Sequence, residues 1–178
     1  CLDKINDSEF KDINAKYLGM ISYVDSIYGE LLDVLEETGL DQKTAIFMFS
    51  DHGDWAGDYG LVEKWPSGLD DTLTRVPLIA KIPGGASGHV VEECVQHFDI
   101  MPTVLELAGI EPNHSFFANS LVQQLKGESG DPDRAVYTEG GYDHPQDDWC
   151  FEGRESVHKS LLDETNIYYP KIILQKEE

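Results

Sequence analysis

The sequence is poor in basic residues. Lysine and arginine together number 13 against 34 aspartates and glutamates, which gives a formal net charge of −21 at pH 7. Such an acidic surface repels nucleic acid and anionic membranes, so we expect neither as a partner. It also disfavours highly sulfated polymers, unless residues outside this chain supply a basic funnel. The simpler interpretation is a solvated acidic surface that aids solubility.

Cysteine and long apolar runs are also scarce. The three cysteines, Cys1, Cys94 and Cys150, leave at least one unpaired within the chain, and their spacing resembles no zinc site. No stretch approaches the roughly 18–20 apolar residues of a membrane span, and no signal peptide is present. Periplasmic, extracellular and cytoplasmic locations all stay open, as does the oligomeric state.

The apolar residues that are present alternate between helical and strand patterns. Apolar side chains recur at helical spacing from Ile13 to Leu35, with Gly39 as a C-cap. Short apolar runs at 45–49 and 76–82 predict two buried strands. A helix is expected over 100–108, with Asp99 as its N-cap rather than a metal ligand. Helices alternating with short strands predict an α/β layered fold in a chain of 178 residues.

The segment FSDHGDWAGDYGLVEKWPSGLDDTLTRVP, from Phe49 to Pro77, carries most of the functional information. Asp51 and His52 follow the first predicted strand, and ligands bind at strand ends in open α/β sheets. Lys64 follows a glycine-rich loop, thirteen positions after Asp51. Two potential metal ligands and one cation predict a site that holds an anionic substrate against a metal.

This segment resembles the second-half signature of the sulfatases, members of the alkaline-phosphatase superfamily. The matching motifs are SDHGD, GDYGLVEKW and TRVPLIAKIPG, preceded by the helix 17–40 and followed by VQHFDIMPTVLELAG at 95–109. The resemblance implies an alkaline-phosphatase-like α/β/α sandwich with a mainly parallel central sheet, incomplete here. Residues 1–178 would form the second half of the catalytic domain. Residues 140–178 are assigned less firmly, as a loop-rich insertion or the start of a C-terminal region.

The resemblance also implies roles for three residues. Asp51 and His52 match metal ligands, and Lys64 matches the catalytic lysine that binds the sulfate. Calcium is the first expectation for the metal, but an imidazole suits manganese or zinc better, and magnesium is a further alternative. The expected substrate is a small-molecule or saccharide sulfate ester.

The nucleophile of the family is not found in this chain. Sulfatases take it from a C/S-x-P/A-x-R motif, whose Cys or Ser becomes formylglycine. Only Cys150 has an arginine at the right spacing, Arg154, but Glu152 replaces the Pro/Ala and the order along the chain is wrong. We therefore expect an internal fragment, inactive alone, with the formylglycine upstream.

Two further functions stay open alongside sulfate ester hydrolysis. One is a phosphonate monoester or phosphodiester hydrolase, which would use the same metal and lysine. The other is a non-catalytic sulfatase-like module kept for binding or structure. The sequence also departs from the family pattern at Tyr59, where histidine is common. Trp55 and Trp65 flank the loop and are candidates either for a wall against the substrate or for packing.

Overall fold

The computed structural model describes residues 5–64, 68–140 and 171–175. Its helices and strands, in chain order, are α1 (Asp7–Glu37), β1 (Ile46–Phe49), α2 (Asp71–Thr74), β2 (Leu78–Lys81), α3 (Ile100–Ala108), α4 (Val122–Leu125), β3 (Val136–Gly140) and β4 (Lys171–Gln175). Strand β1 pairs with β2, and β3 pairs with β4. Short 3₁₀ turns cover Asp58–Gly60 and His97–Asp99. The less firmly assigned C-terminal region thus contributes one strand, and residues 141–170 lie outside the described residues.

The chain divides into two compact units. The first comprises residues 1–38, 49–77 and 138–173, and the second comprises residues 39–48, 78–137 and 174–178. In the described part, the apolar core of the first unit contains Trp55, Leu69 and Leu73. The residues that the sequence proposes as a site, 51–64, all belong to this first unit.

Helix α1 confirms the predicted amphipathic helix; it begins earlier than the sequence predicts and ends at Glu37. A capping box begins it: Asn6 Oδ1 accepts from Ser8 N (2.9 Å) and Glu9 N (3.2 Å), while Glu9 Oε2 accepts from Asn6 N (2.8 Å). Gly39 follows the helix at φ +66°, the left-handed conformation expected after a C-terminus. None of its residues is buried. Its exposed large apolar side chains are Leu18, Met20, Ile21, Tyr23, Val24, Ile27, Leu31, Leu32 and Val34.

Strands β1 and β2 lie where the sequence places them, but the prediction that they are buried is wrong. Strand β1 is partly buried and its last residue is exposed. Strand β2 alternates between partly buried and exposed positions, and Ile79 is 62% exposed. Among the described strands each pairs only with the other, so each has one edge that pairs with no described strand. Burial begins just after β2, at Ile82.

Asp99 organises the second unit instead of capping α3. It occupies the N-cap position but makes no side-chain cap hydrogen bond there, so this part of the prediction is wrong. Its carboxylate is fully buried and accepts from Gln96 N (2.8 Å), Asn119 N (3.0 Å) and Arg134 Nη2 (2.6 Å). The first of these bonds closes the preceding 3₁₀ turn. A buried carboxylate with three donors, one of them charged, is well compensated for its lost hydration.

Thr103 extends this buried network by one turn of helix α3. Its hydroxyl donates to the Asp99 carbonyl (2.6 Å) and accepts from Leu121 N (2.8 Å). Both polar groups are fully buried and both are satisfied. The network therefore fixes the start of α3, the 119–121 segment and Arg134 as one assembly.

Candidate active site

The chain turns sharply after β1 and presents two polar side chains in succession. Ser50 Oγ donates to the His52 carbonyl (2.7 Å), and Asp51 Oδ1 accepts from His52 N (3.0 Å). Asp51 is exposed and His52 is half-buried. These bonds hold the turn in a form that places the carboxylate beside the imidazole, with Asp51 Oδ2 3.5 Å from His52 Nε2.

Hydrogen bonding determines which nitrogen of His52 faces the site. Nδ1 lies 2.7 Å from the Gly53 carbonyl oxygen, which can only accept, so Nδ1 carries the proton. Nε2 of the neutral ring therefore keeps its lone pair and points toward Asp51 and Lys64. This is the arrangement that a histidine ligand of a metal requires, because the other ring nitrogen fixes the tautomer.

Lys64 completes the cluster from the far end of the loop. Its Nζ lies 2.8 Å from His52 Nε2 and donates to it. The structure thus brings together Asp51, His52 and Lys64, the three residues that the sequence proposes as a site. A negative oxygen, a nitrogen lone pair and a mobile ammonium meet at one exposed point of the first unit.

The loop that carries Lys64 is closed on itself. Trp55 N donates to the Glu63 carbonyl (3.0 Å) at its base, and Gly57 N donates to the Leu61 carbonyl (2.8 Å) further out. Asp54 Oδ1 accepts from Ala56 N (2.8 Å) and fixes its first residues. Because Glu63 is tied to Trp55, the position of the following lysine depends on the loop as a whole.

The backbone of this loop is unusual. All three non-glycine residues with positive φ in the described part of the chain lie in it: Ala56 (+44°), Tyr59 (+54°) and Glu63 (+66°). A left-handed conformation costs an L-residue roughly 1–2 kcal/mol, and such residues cluster at functional sites. Tyr59 recovers part of that cost through an edge-to-face contact with Trp55, with ring centroids 5.6 Å apart. Such a pair contributes about 0.5–1.5 kcal/mol.

Two aromatic residues of the loop, Trp55 and Tyr59, differ in their exposure. Trp55 is 4% exposed and packs in the core, so it cannot wall a substrate directly. Tyr59 is 75% exposed. Trp65, Cys150 and Arg154 lie outside the described residues, and Cys94 is a free, half-buried thiol.

Gly53 supports the site through a close approach to α2. Its N–H donates to the Leu73 carbonyl (2.8 Å), and a Cβ at this position would lie 1.9 Å from the Thr72 carbonyl oxygen. The obstacle is backbone, which cannot rotate away as a side chain can. Only glycine therefore lets the turn after β1 lie against α2.

Replacing Gly53 with alanine should displace α2 and the His52 turn together. We expect the free energy of unfolding to fall by about 1–3 kcal/mol, the usual cost of overpacking, measured by denaturant titration. Gly19→Ala is the matched control, because Gly19 lies within α1 with nothing within 4 Å of its added Cβ. Alanine there should stabilise the helix by roughly 0.5–1 kcal/mol. Equal stability of the Gly53→Ala protein and the unchanged protein would contradict the close approach.

Asp51 and His52 supply some, but not all, of the ligands that a divalent cation needs. Asp51 Oδ2 and His52 Nε2 supply one oxygen and one nitrogen within reach of a common point. In residues 5–64, 68–140 and 171–175 no group of three or more His, Cys, Asp or Glu side chains is placed to hold a metal. The described part of the chain thus offers two protein ligands, and any further ligand would have to come from elsewhere.

The chain is similar to known proteins along most of its length. The profile described as Sulfatase matches residues 4–110. A sulfatase of Formosa agariphila is 33% identical over 141 residues, which are 79% of this chain and 27% of that protein. Arylsulfatase K of Danio rerio is 34% identical over 122 residues, 68% of this chain and 23% of that protein.

Solved structures of related proteins also superpose on this chain. A phosphonate monoester hydrolase of Silicibacter pomeroyi superposes with a TM-score of 0.73 at 32% identity, covering 80% of this chain and 28% of that one. A protein in complex with its substrate D-glucosamine-2-N,6-O-disulfate superposes with a TM-score of 0.64 at 31% identity, covering 72% and 26%. The chain therefore spans about a quarter of the length of the proteins that it matches.

Proposed function

The chain belongs to the sulfatase family, and from this membership we propose that it forms part of a metal-dependent enzyme that hydrolyses sulfate esters. Its fold is part of the alkaline-phosphatase-like α/β fold, as the sequence predicts. The observation that carries the proposal is the meeting of Asp51, His52 and Lys64 at one point. Those three residue types together suit a cation and a tetrahedral anion.

Asp51 and His52 would hold the divalent metal. When bound, the metal would neutralise and polarise the oxygens of the ester. The chain's own part is to orient the ligands: the Gly53 carbonyl fixes the His52 tautomer, and the Ser50 hydroxyl fixes the turn. Calcium prefers oxygen ligands, whereas an imidazole suits manganese or zinc better, so the mixed donor pair keeps both kinds of metal within the proposal.

Lys64 would bind the sulfate group. An ammonium is a compact charge with three donors, and it stabilises the negative charge that grows on the oxygens in the transition state. The side chain is exposed, and the hydrogen bond from Trp55 N to the Glu63 carbonyl holds the backbone just before it. It can therefore reach an anion beside His52 without rearrangement of the fold.

The substrate would be a small ester rather than a highly charged polymer. The chain carries −21 charges, and the cluster at residues 51–64 itself contains several carboxylates. Repulsion from this surface disfavours long polyanions. A small-molecule or saccharide sulfate ester, with one sulfate group held by the metal and Lys64, satisfies this constraint.

Phosphonate monoester hydrolysis is the second candidate. The structural likeness to the Silicibacter pomeroyi enzyme and to a phosphonate monoester hydrolase of Agrobacterium radiobacter, with a TM-score of 0.75 at 29% identity, favours it specifically. Both reactions place a tetrahedral anion against a metal and a lysine. The geometry of Asp51, His52 and Lys64 serves either one, because fold and shared ligands do not fix the substrate.

An activity assay distinguishes these functions. The protein expressed from its complete coding sequence should hydrolyse 4-nitrophenyl sulfate faster than 4-nitrophenyl phenylphosphonate. Activity should be lost after chelation and dialysis, because Asp51 and His52 alone cannot polarise the ester. It should return when calcium, manganese, magnesium or zinc is added back, and the metal that restores it identifies the cofactor.

Three other outcomes would contradict the proposal. Faster turnover of the phosphonate ester would replace the sulfatase assignment with the second candidate. Full activity after chelation would remove the metal role of Asp51 and His52. Hydrolysis of neither ester would favour a sulfatase-like module without catalysis.

A further inference from the structure

An exposed aromatic ring lies on the loop that joins His52 to Lys64. We propose that Tyr59 is a specificity-determining residue, whose ring packs against a six-membered ring, aromatic or pyranose, in the organic group of the ester. The inference rests on the proposed function, because it concerns the part of the same substrate that leaves with the ester oxygen. The proposal predicts that this organic group presents a flat, uncharged surface to Tyr59.

Exposure makes the ring of Tyr59 available. The side chain is 75% exposed although it is held in an aromatic pair, so at least one face of the phenol is open to solvent. Trp55 beneath it is buried, and its indole N–H has no hydrogen-bond partner among the described residues. The contact between the two rings, rather than a hydrogen bond of the indole, therefore orients the pair. The buried ring of Trp55 supports the exposed ring of Tyr59.

Folding alone does not account for tyrosine at this position. The residue has φ +54°, where asparagine or glycine would be adopted with less strain. The cost of that conformation and the gain from the Trp55 contact are similar in size, so the ring adds little net stability. The ring is exposed, held by its contact with Trp55 and nearly neutral for folding, so it is available to pack against a ligand.

The loop joins this platform to the site. Tyr59 lies at the apex of the loop, yet its ring returns to within 5.6 Å of the ring of Trp55, at the loop base. Trp55 is the third residue after His52, and its N–H bonds to the residue before Lys64. The platform and the anion-binding lysine are thus two parts of one closed segment.

Neighbouring charges specify the kind of ring. Asp58 precedes Tyr59, and its carboxylate accepts from Thr72 Oγ1 (3.2 Å). Asp54 lies at the start of the loop. These carboxylates in the same loop disfavour a second anionic group near the phenol. The ring that packs on Tyr59 should therefore carry no further sulfate on the face that it presents.

Binding of two sulfonates, which resemble sulfate esters but are not hydrolysed, tests the proposal. Calorimetry on the protein from its complete coding sequence should show that Tyr59→Asn binds benzenesulfonate about three- to tenfold more weakly than the unchanged protein. Methanesulfonate, which has no ring, should bind both equally. Asparagine is chosen because it tolerates the left-handed backbone, and Tyr59→Phe is the matched control that keeps the ring. Lys64→Met should weaken both sulfonates.

The possible results distinguish the role of Tyr59 from the role of Lys64. Equal binding of benzenesulfonate by the Asn and Phe variants, with Lys64→Met still weakening both ligands, would overturn the role of Tyr59 and leave the anion site intact. Loss of benzenesulfonate preference in Tyr59→Asn without any effect of Lys64→Met would overturn the proposed function of the lysine alone. No binding of either sulfonate would overturn both. Parallel KM measurements with phenyl sulfate and glucosamine 6-sulfate identify the ring: the substrate with the larger KM increase in Tyr59→Asn is the one that packs there.

Discussion

Replacing Lys64 with methionine should lower kcat for sulfate ester hydrolysis by about 10²–10³-fold, the usual cost of removing one donor that stabilises transition-state charge. Methionine keeps the length of the side chain and removes its charge. The change should leave the thermal midpoint nearly unaltered, because the His52–Lys64 bond lies on an exposed side chain. Steady-state kinetics on the protein from its complete coding sequence measures the effect.

Two controls accompany this variant. Lys16→Met removes the same charge from an exposed position on α1 and should keep full activity. Lys64→Arg keeps the charge but replaces a compact ammonium with a planar fork, so it should recover only part of the lost rate. A Lys64→Met enzyme within about threefold of the unchanged kcat would exclude the lysine from transition-state stabilisation.

Replacing Arg134 with methionine should lower the free energy of unfolding by about 3–5 kcal/mol, because it leaves the fully buried Asp99 carboxylate without its charged partner. The two backbone donors to Asp99 remain, but neither supplies a positive charge. Denaturant titration measures the loss. The start of α3 and the 119–121 segment should lose hydrogen-exchange protection together, since the same carboxylate holds both.

Arg75→Met is the matched control for this effect. Arg75 pairs with Asp71 at 4.0 Å on the surface, with side chains 76% and 62% exposed. Exposed pairs of this kind contribute roughly 0–1 kcal/mol. A loss from Arg134→Met no larger than the loss from Arg75→Met would show that the buried pair does not stabilise the second unit.

The sequence alone predicts the two longer helices, α1 and α3, but neither the short helices nor the exposure of the strands. Periodicity and capping signals are local, so α3 agrees at both ends, whereas α1 begins earlier than predicted. The burial of β1 and β2 depends on which elements cover their faces. An apolar run cannot report that, because its composition is the same whether or not a neighbouring layer is present.

The candidate site and its surroundings likewise include residues that the sequence predicts and residues that it does not. Asp51, His52 and Lys64 are recognisable because they lie within one short motif, and the structure brings them together. The pairing of Asp99 with Arg134 joins residues 35 positions apart, so no local pattern contains it. The division between buried Trp55 and exposed Tyr59 is likewise absent from the sequence, because it follows from left-handed backbone angles inside the loop.

Helix α1 lies against the loop that carries Lys64, although the two are far apart along the chain. Gly57, in the loop that carries the lysine, lies so near the first turns of α1 that an added Cβ would be 3.2 Å from Phe10 Cδ1 and 3.5 Å from Asn14 Nδ2. Those turns are secured by Asn6 and Glu9. Fraying of the first turns of α1 would remove the side chains that pack against Gly57. The loop, and with it the Lys64 ammonium, would then be held less firmly. We therefore expect the capping box of Asn6 and Glu9, more than forty residues upstream, to influence the position of Lys64.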